Sequence, residues 1–322
     1  MDIPRSAPGP NARSACQIKI LLASAVMLLL ASAGLRAQTG GLVRAVHGRA
    51  AYAYTAHVVS FGVRAPATSG HARTIRYILR ELRADHAGIE TVPYIAHTPG
   101  GTFHEEDIVA KFPGAGKGQG ILAVCGHFDT KIEKKFRFVG ANDGGSSTGM
   151  LLELAHALAA HRLRKPVWLL FLDGEEAVVH WQGKDNDYGS RHLAHLWVRQ
   201  GVAPRIRALI LVDMIGDKDL DILRETNSTG WLNSFIQSAA GKLGYSRYFF
   251  QTSSAVEDDH IPFLHAGIPA VDLIDFTYGP NNRQSPGPYW HTAQDTMNKL
   301  SPHSFRVVGR VVAKALEMLA AQ

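Results

Sequence analysis

Short apolar runs alternate along this chain with longer segments in which apolar positions recur every three or four residues. Residues 121–125, Val167–Leu172, 208–212 and Ala270–Ile274 are apolar runs of strand length. Residues 145–162, 188–200, 231–243 and Pro302–Ala320 carry helical periodicity. Strands alternating with helices predict an α/β fold: a single domain with a mostly parallel central sheet flanked by helices. Two more helices precede the first run. Ala50, Tyr54, Val58 and Phe61 recur at helical spacing until residues 62–70, with Pro66 among them, break the pattern. From Ser69 onward, Ile75, Ile78, Leu79 and Leu82 share one face, which predicts a second helix to about Asp85. Residues 278–288, rich in Pro, Gly and Asn, predict a long loop of the kind that often walls a site. No internal repeat interrupts this plan.

The N-terminal segment changes the picture. Arg13 and Lys19 precede an apolar run over residues 20–33, with small residues at Ala31, Ala33 and Ala37, the layout of a cleavable signal peptide. Residues 1–37 are therefore expected to leave, and 38–322 to form the catalytic domain. A membrane anchor is the alternative, but the run falls short of the roughly 20 apolar residues that a spanning helix needs. The expectation is export, to the periplasm or beyond the cell, with no stable membrane insertion once the signal is gone. Losing residues 1–37 removes four basic residues and one acid, so the formal charge falls from +6 to +3. The remaining basic residues are scattered and no basic run is interleaved with aromatics, which argues against nucleic acid as a partner. Cys16 leaves with the signal and Cys125 stays unpaired, so no internal disulfide is available and stability rests on packing or metal.

Candidate chemistry follows the strands. His127, Asp143, Glu175, Glu176, Asp213 and His291 occur in that order, and His127, Glu175, Glu176 and Asp213 come just after apolar runs. Ligands gather at the carboxyl ends of strands in open α/β sheets. Zinc takes imidazole nitrogen and carboxylate oxygen, and a catalytic site keeps three protein ligands with one position open. Of the two adjacent glutamates, one can bind metal while the other handles protons. Asp129 is placed to orient His127 from behind, as carboxylates do for ligating imidazoles, whereas Asp173 is expected only to end a strand.

These residues carry a resemblance. His127-Phe128-Asp129, Asn142-Asp143, Asp173-Gly174-Glu175-Glu176, Asp213 and Tyr289-Trp290-His291 are similar, in order, to the motifs of the co-catalytic zinc aminopeptidase superfamily. Within it, His127 to Lys131, Phe138 to Asp143, Asp173 to Ala177 with His180-Trp181, Tyr188 to Ala194, Asp258 to Leu264 and Trp290-His291 resemble the animal-type glutaminyl cyclases, the glutaminyl-peptide cyclotransferases. The resemblance implies a zinc aminopeptidase-like fold and a reaction that turns N-terminal glutamine of peptides or proteins into pyroglutamate, releasing ammonia. It implies Asp143, Glu176 and His291 as zinc ligands, Glu175 as proton shuttle, Asp213 with Asp258 as a catalytic acid pair, and Trp181, Trp290 and Lys131 at the substrate pocket. His127 and Asp213 match a second metal position, so one zinc is expected for a cyclase and two for an aminopeptidase, which would remove N-terminal residues instead. The chain departs from the cyclases at Gly126 and Thr148, where they carry a disulfide, and at Asp272, where they carry a histidine. Asn142-Asp143-Gly144-Gly145-Ser146 resembles an aminopeptidase at least as closely. Cyclase, zinc aminopeptidase and a non-catalytic binding protein on the same fold all stay open at this point.

Overall fold

The computed structural model describes Met1 and residues 41–322, apart from 117–118, 182 and 281–283. The apolar run at residues 20–33, and with it most of the expected signal peptide, lies outside the described residues. Contacts divide the chain into a unit Met1–Gly41 and a unit Leu42–Gln322, and every helix and strand described belongs to the latter.

In chain order the elements are α1 (Leu42–Ala45), α2 (Gly48–Ser60), α3 (Ser69–Ala84), β1 (Gly88–Thr98), β2 (Gly101–Phe112), β3 (Ile121–His127), α4 (Gly145–Ala160), β4 (Val167–Leu172), α5 (Tyr188–Arg199) and β5 (Ile206–Asp213). There follow β6 (Ile222–Glu225), α6 (Gly230–Lys242), β7 (Phe249–Ser254), α7 (His260–His265), β8 (Ala270–Ile274) and α8 (Pro302–Ala320). Six strands form one sheet in the order β1-β2-β4-β3-β5-β8, and β6 with β7 forms a small parallel pair. The four strands from β4 to β8 run parallel, and the β1–β2 hairpin joins them antiparallel at one edge.

Both faces of the sheet are covered, which is why the parallel strands are apolar throughout rather than alternating. Leu122 and Val124 of β3 join one core with Leu154 and Leu158 of α4 and Val308 and Val312 of α8. Ile121, Ala123 and Cys125 point the other way, into a core with Leu193 and Trp197 of α5 and Phe263 of α7. The helix ends follow local rules: Thr68 accepts the His71 amide at 3.2 Å to cap α3, and Ser301 accepts the His303 amide at 3.1 Å to cap α8 behind Pro302.

The mostly parallel sheet flanked by helices matches the expectation, and β4, β8 and α8 match it residue for residue. The β1–β2 hairpin, β6, β7 and α7 were not anticipated. In β1 the period of two is present, with Val92, Tyr94 and Ala96 buried, but Pro93 lies within it, where an edge strand tolerates the missing donor. In β2 the buried Glu105 and Asp107 sit where a core-facing pattern should be apolar. Asp107 is there for Asp173, whose role is larger than ending β4. Asp107 Oδ1 accepts the Asp173 amide at 2.9 Å, and the Asp173 carboxylate takes the Glu106 amide at 3.0 Å and His71 Nε2 at 2.8 Å. This polar knot pins the turn that leads into Glu175 and Glu176.

Helix α4 starts two residues after Asp143, so its seat against α2 helps set the site. A Cβ built on Gly149 would lie 2.1 Å from Thr55 Oγ1 and 2.6 Å from the Ala51 carbonyl oxygen. Gly149→Leu is therefore expected to cost at least about 1–3 kcal/mol through overpacking, read as a lower urea midpoint at unchanged m-value.

Candidate active site

His127 ends β3, Asp213 ends β5, and Glu175 and Glu176 follow β4 by three and four residues. Because these strands are parallel, their carboxyl ends lie on one edge of the sheet. Asp143 arrives there just before α4, and His291 from the loop ahead of α8.

Asp143 is shared between two groups. Its Oδ1 lies 3.3 Å from His127 Nε2 and its Oδ2 lies 3.3 Å from His291 Nε2. His291 Nε2 is also 3.1 Å from Glu176 Oε2, while His127 Nε2 is 3.2 Å from Asp213 Oδ1. The donor atoms of Asp143, Glu176 and His291 all lie within 4.8 Å of one another, and so do those of His127, Asp143 and Asp213. Two carboxylates and an imidazole form a donor set that suits zinc. Asp143 Oδ2 and Glu176 Oε2 are buried and, apart from their approach to His291 Nε2, have no hydrogen-bond partner among the described residues, as expected of oxygens that face a cation.

Each of these side chains is held from behind. Asp129 Oδ1 lies 3.3 Å from His127 Nδ1, and the Asp129 carboxylate also accepts the amides of Glu175 at 3.2 Å and Glu176 at 3.3 Å. One acid thus orients the histidine and the glutamate turn together. The Lys131 amide donates to Glu176 Oε1 at 3.0 Å, leaving Oε2 for the metal group. Asp295 accepts the amides of Asn142 at 2.8 Å and Asp143 at 3.1 Å. The His291 ring stacks on Trp290 with centroids 3.7 Å apart, and its backbone sits in the left-handed region at φ 50°. A non-glycine residue there costs about 1–3 kcal/mol, which its surroundings must offset.

Burial dominates the electrostatics. It pushes Glu175 well above the usual carboxylate range, opposed by His127 and reinforced by Glu176, Asp258 and Asp259. Asp258 is likewise pushed well up by burial, then by Asp272, Asp213, Asp259 and Asp187. Burial also raises Asp213, against its contact with His127. Asp143 goes the other way: although burial opposes it, the two flanking imidazoles hold its carboxyl low. Burial works against protonation of His291, but Glu176 and Asp143 bring its pKa up to about 9.

A cavity of about 210 Å³ opens on this cluster, lined by Asp143, Glu175, Asp213, Asp258 and His291 together with Trp181, Trp290, Phe276 and Val256 among others. Trp181 Nε1 is buried without a hydrogen-bond partner among the described residues. The fold thus brings together His127, Asp143, Glu175, Glu176, Asp213, Asp258, His291, Trp181 and Trp290. Lys131 is not among the lining residues. Its ammonium donates to the Ala177 carbonyl at 3.2 Å, so its contacts serve the glutamate turn. The described part of residues 278–288 does not line the cavity either; Phe276 and Trp290, on either side, do. Sequence reasoning missed Asp187, a buried third carboxylate grouped with Glu175 and Asp258. It also missed Asp295, for which the only cue was its place four residues after His291.

This fold and donor set define an enzyme of the zinc exopeptidase class, and the chain matches Peptidase family M28 over residues 107–316. A crystal structure of a Zn-dependent exopeptidase from Parabacteroides distasonis superposes with a TM-score of 0.73 at 25% identity, covering 84% of this chain and 98% of that one. The chain belongs more narrowly to the glutaminyl-peptide cyclotransferase family within that class. It is 31% identical to the glutaminyl-peptide cyclotransferase of Drosophila melanogaster over 72% of this chain and 70% of that one. The crystal structure of an Acidobacteriales bacterium glutaminyl cyclase superposes with a TM-score of 0.81 at 38% identity, covering 86% of this chain and 95% of that one.

Since His291 titrates at about 9, it carries a proton at neutral pH that a metal must displace. Zinc added to chelator-treated protein at pH 7 is expected to release at least about one proton, and apparent affinity should climb as pH rises toward 9. Calorimetry in two buffers of different protonation enthalpy measures this; affinity independent of pH would contradict it.

Proposed function

We propose that this protein cyclises the N-terminal glutamine of peptides or proteins to pyroglutamate with release of ammonia, using one zinc held by Asp143, Glu176 and His291. The observation that carries the reading is the divergence of two adjacent glutamates: Glu176 is turned into the metal group, and Glu175 lines the cavity with its carboxyl raised by burial. When bound, zinc supplies Lewis-acid polarisation of the side-chain amide carbonyl.

The α-amine of the substrate attacks the side-chain amide carbon of the same residue, so the nucleophile is tethered and orientation is much of the task. The new bond joins the α-nitrogen to the amide carbon, and the bond that breaks releases the amide nitrogen. Glu175 in its ionised form takes the proton from the amine and hands it to the departing nitrogen, which leaves as ammonia. The unpartnered Trp181 N–H is available to the substrate carbonyl oxygen. Trp290 and Phe276, edge to face with centroids 5.5 Å apart, wall the side-chain pocket. Asp213 and Asp258 both line the cavity, and Asp213 helps raise Asp258, which supports a shared proton in this pair and a role in receiving the amine.

A second reading rests on the group His127, Asp143 and Asp213, which can hold a second ion as an aminopeptidase would need. An ion bound to the amine ties up the lone pair that cyclisation uses. The His127 imidazole is raised well above its ordinary value: burial opposes this, but Glu175, Asp129, Asp143 and Asp213 outweigh it, so a second ion would have to displace a proton there as the first must at His291. Where no second ion binds, that imidazolium neutralises Asp143 and Asp213. The chain is further read as exported, with residues 1–37 as its signal; among the described residues, no helix is long and apolar enough to cross a membrane.

Incubation with a Gln-initiated and a Leu-initiated peptide separates the two readings by product mass. Loss of ammonia from the first with the second intact is expected; loss of a residue from either would replace cyclase with aminopeptidase. Glu175→Gln should lower kcat by about 10²–10⁴ while zinc content stays at one per chain. For the wild type, kcat/KM is expected to rise with pH through the substrate amine's range of about 7.7–8.0, because only the neutral amine attacks. A rate that falls over that range would contradict the assigned nucleophile.

A further inference from the structure

We infer that Arg64 is a positioning residue for the zinc site, setting the backbone of the two segments that carry His127 and Asp143. The inference rests on the zinc-site reading above but is independent of the reaction. Arg64 is fully buried, yet among the described residues it makes no ion pair. Its guanidinium donates only to backbone carbonyls: Nε to Phe128 at 2.8 Å, Nη1 to Val139 at 2.6 Å, and Nη2 to Gly140 at 2.8 Å and Asp143 at 3.2 Å. Its own amide donates to Thr130 Oγ1 at 2.9 Å. Phe128 directly follows His127, and the other three carbonyls belong to the turn that ends on Asp143 itself.

Burying an unpaired cation is costly, so such a residue persists only where its surroundings supply compensating dipoles and charge. The four carbonyls supply the dipoles. Burial lowers the guanidinium to about 10, while Asp295, Asp129, Asp143 and Glu176 favour its charged form, so Arg64 stays a cation at neutral pH. The turn is then gripped on opposite polarities. Arg64 takes its carbonyls, and Asp295 takes the amides of Asn142 and Asp143. Gly140, at φ 47°, lies in this turn with no room for a side chain: a Cβ would stand 2.4 Å from the Asp143 carbonyl and 3.3 Å from Arg64 Nη2. A planar fork with donors on three nitrogens can span carbonyls in two segments, which the point-like ammonium of lysine cannot. Asp143 alone is shared by both metal groups, so a small shift of its backbone is felt by every ligand around it.

The test compares wild type, Arg64→Lys and Arg64→Met by zinc affinity, measured by competition with a chromophoric chelator, and by the melting temperature of the metal-free protein. Arg64→Met is expected to weaken zinc binding at least tenfold, in the range of about 10–100-fold usual for groups that support ligands, with Arg64→Lys recovering part of the loss. A purely structural arginine would lower the melting temperature and leave the affinity of the folded fraction unchanged, and that result overturns the inference. Should Arg64→Met fail to fold, Arg64→Lys decides: weaker zinc binding than wild type supports the assignment, and equal binding overturns it. Wild type that binds zinc without cyclising peptides would remove the proposed reaction alone. Wild type that binds no zinc would remove the metal site and this inference together.

Discussion

The structure depends on keeping several carboxylates out of water at the carboxyl edge of one sheet. Asp143, Glu175, Glu176, Asp213, Asp258, Asp259 and Asp272 are all buried. Each would cost several kcal/mol if charged and unpaired, so the cluster is stable only with protons, imidazolium groups or a metal among its members. Asp143 has the strongest claim to negative charge because two imidazoles flank it, and the raised acids behind it accept protons more readily.

The same constraint separates the roles of two residues that are chemically identical and adjacent. Glu176 receives the Lys131 amide on one oxygen and turns the other toward His291. Glu175 has its backbone held by Asp129 and by the Asp187 amide, while its carboxylate lies 3.6 Å from His127 Nδ1 and lines the cavity. Environment, not identity, sets the two apart, as the proposed roles of metal ligand for Glu176 and proton carrier for Glu175 require. The apolar wall of Trp290 and Phe276 keeps the dielectric low enough for the distinction to persist.

Supporting polar groups reach far from the cavity. The β1–β2 hairpin contributes Asp107, α3 contributes His71, and both act on Asp173, two residues before Glu175. Asp295 and Arg64 hold the turn before α4 from its amides and its carbonyls.

Periodicity alone located β3, β4, β5, β8 and six of the helices, because strands covered on both faces must be apolar throughout and helices must show one apolar face. Strand ends then marked His127, Glu175, Glu176 and Asp213, since an α/β sheet collects its ligands there. What holds Glu176 inward, how Asp143 divides its oxygens between two histidines, and why an acid at Asp107 interrupts β2 were decided only by tertiary structure. Those outcomes depend on partners distant in sequence, such as Asp295 for Asp143 and Asp107 for Asp173. Arg64 shows the limit most plainly: its chain neighbours Val63 and Ala65 give no sign of the carbonyls it meets, because a hydrogen bond to backbone leaves no trace in the identity of the residue that accepts it.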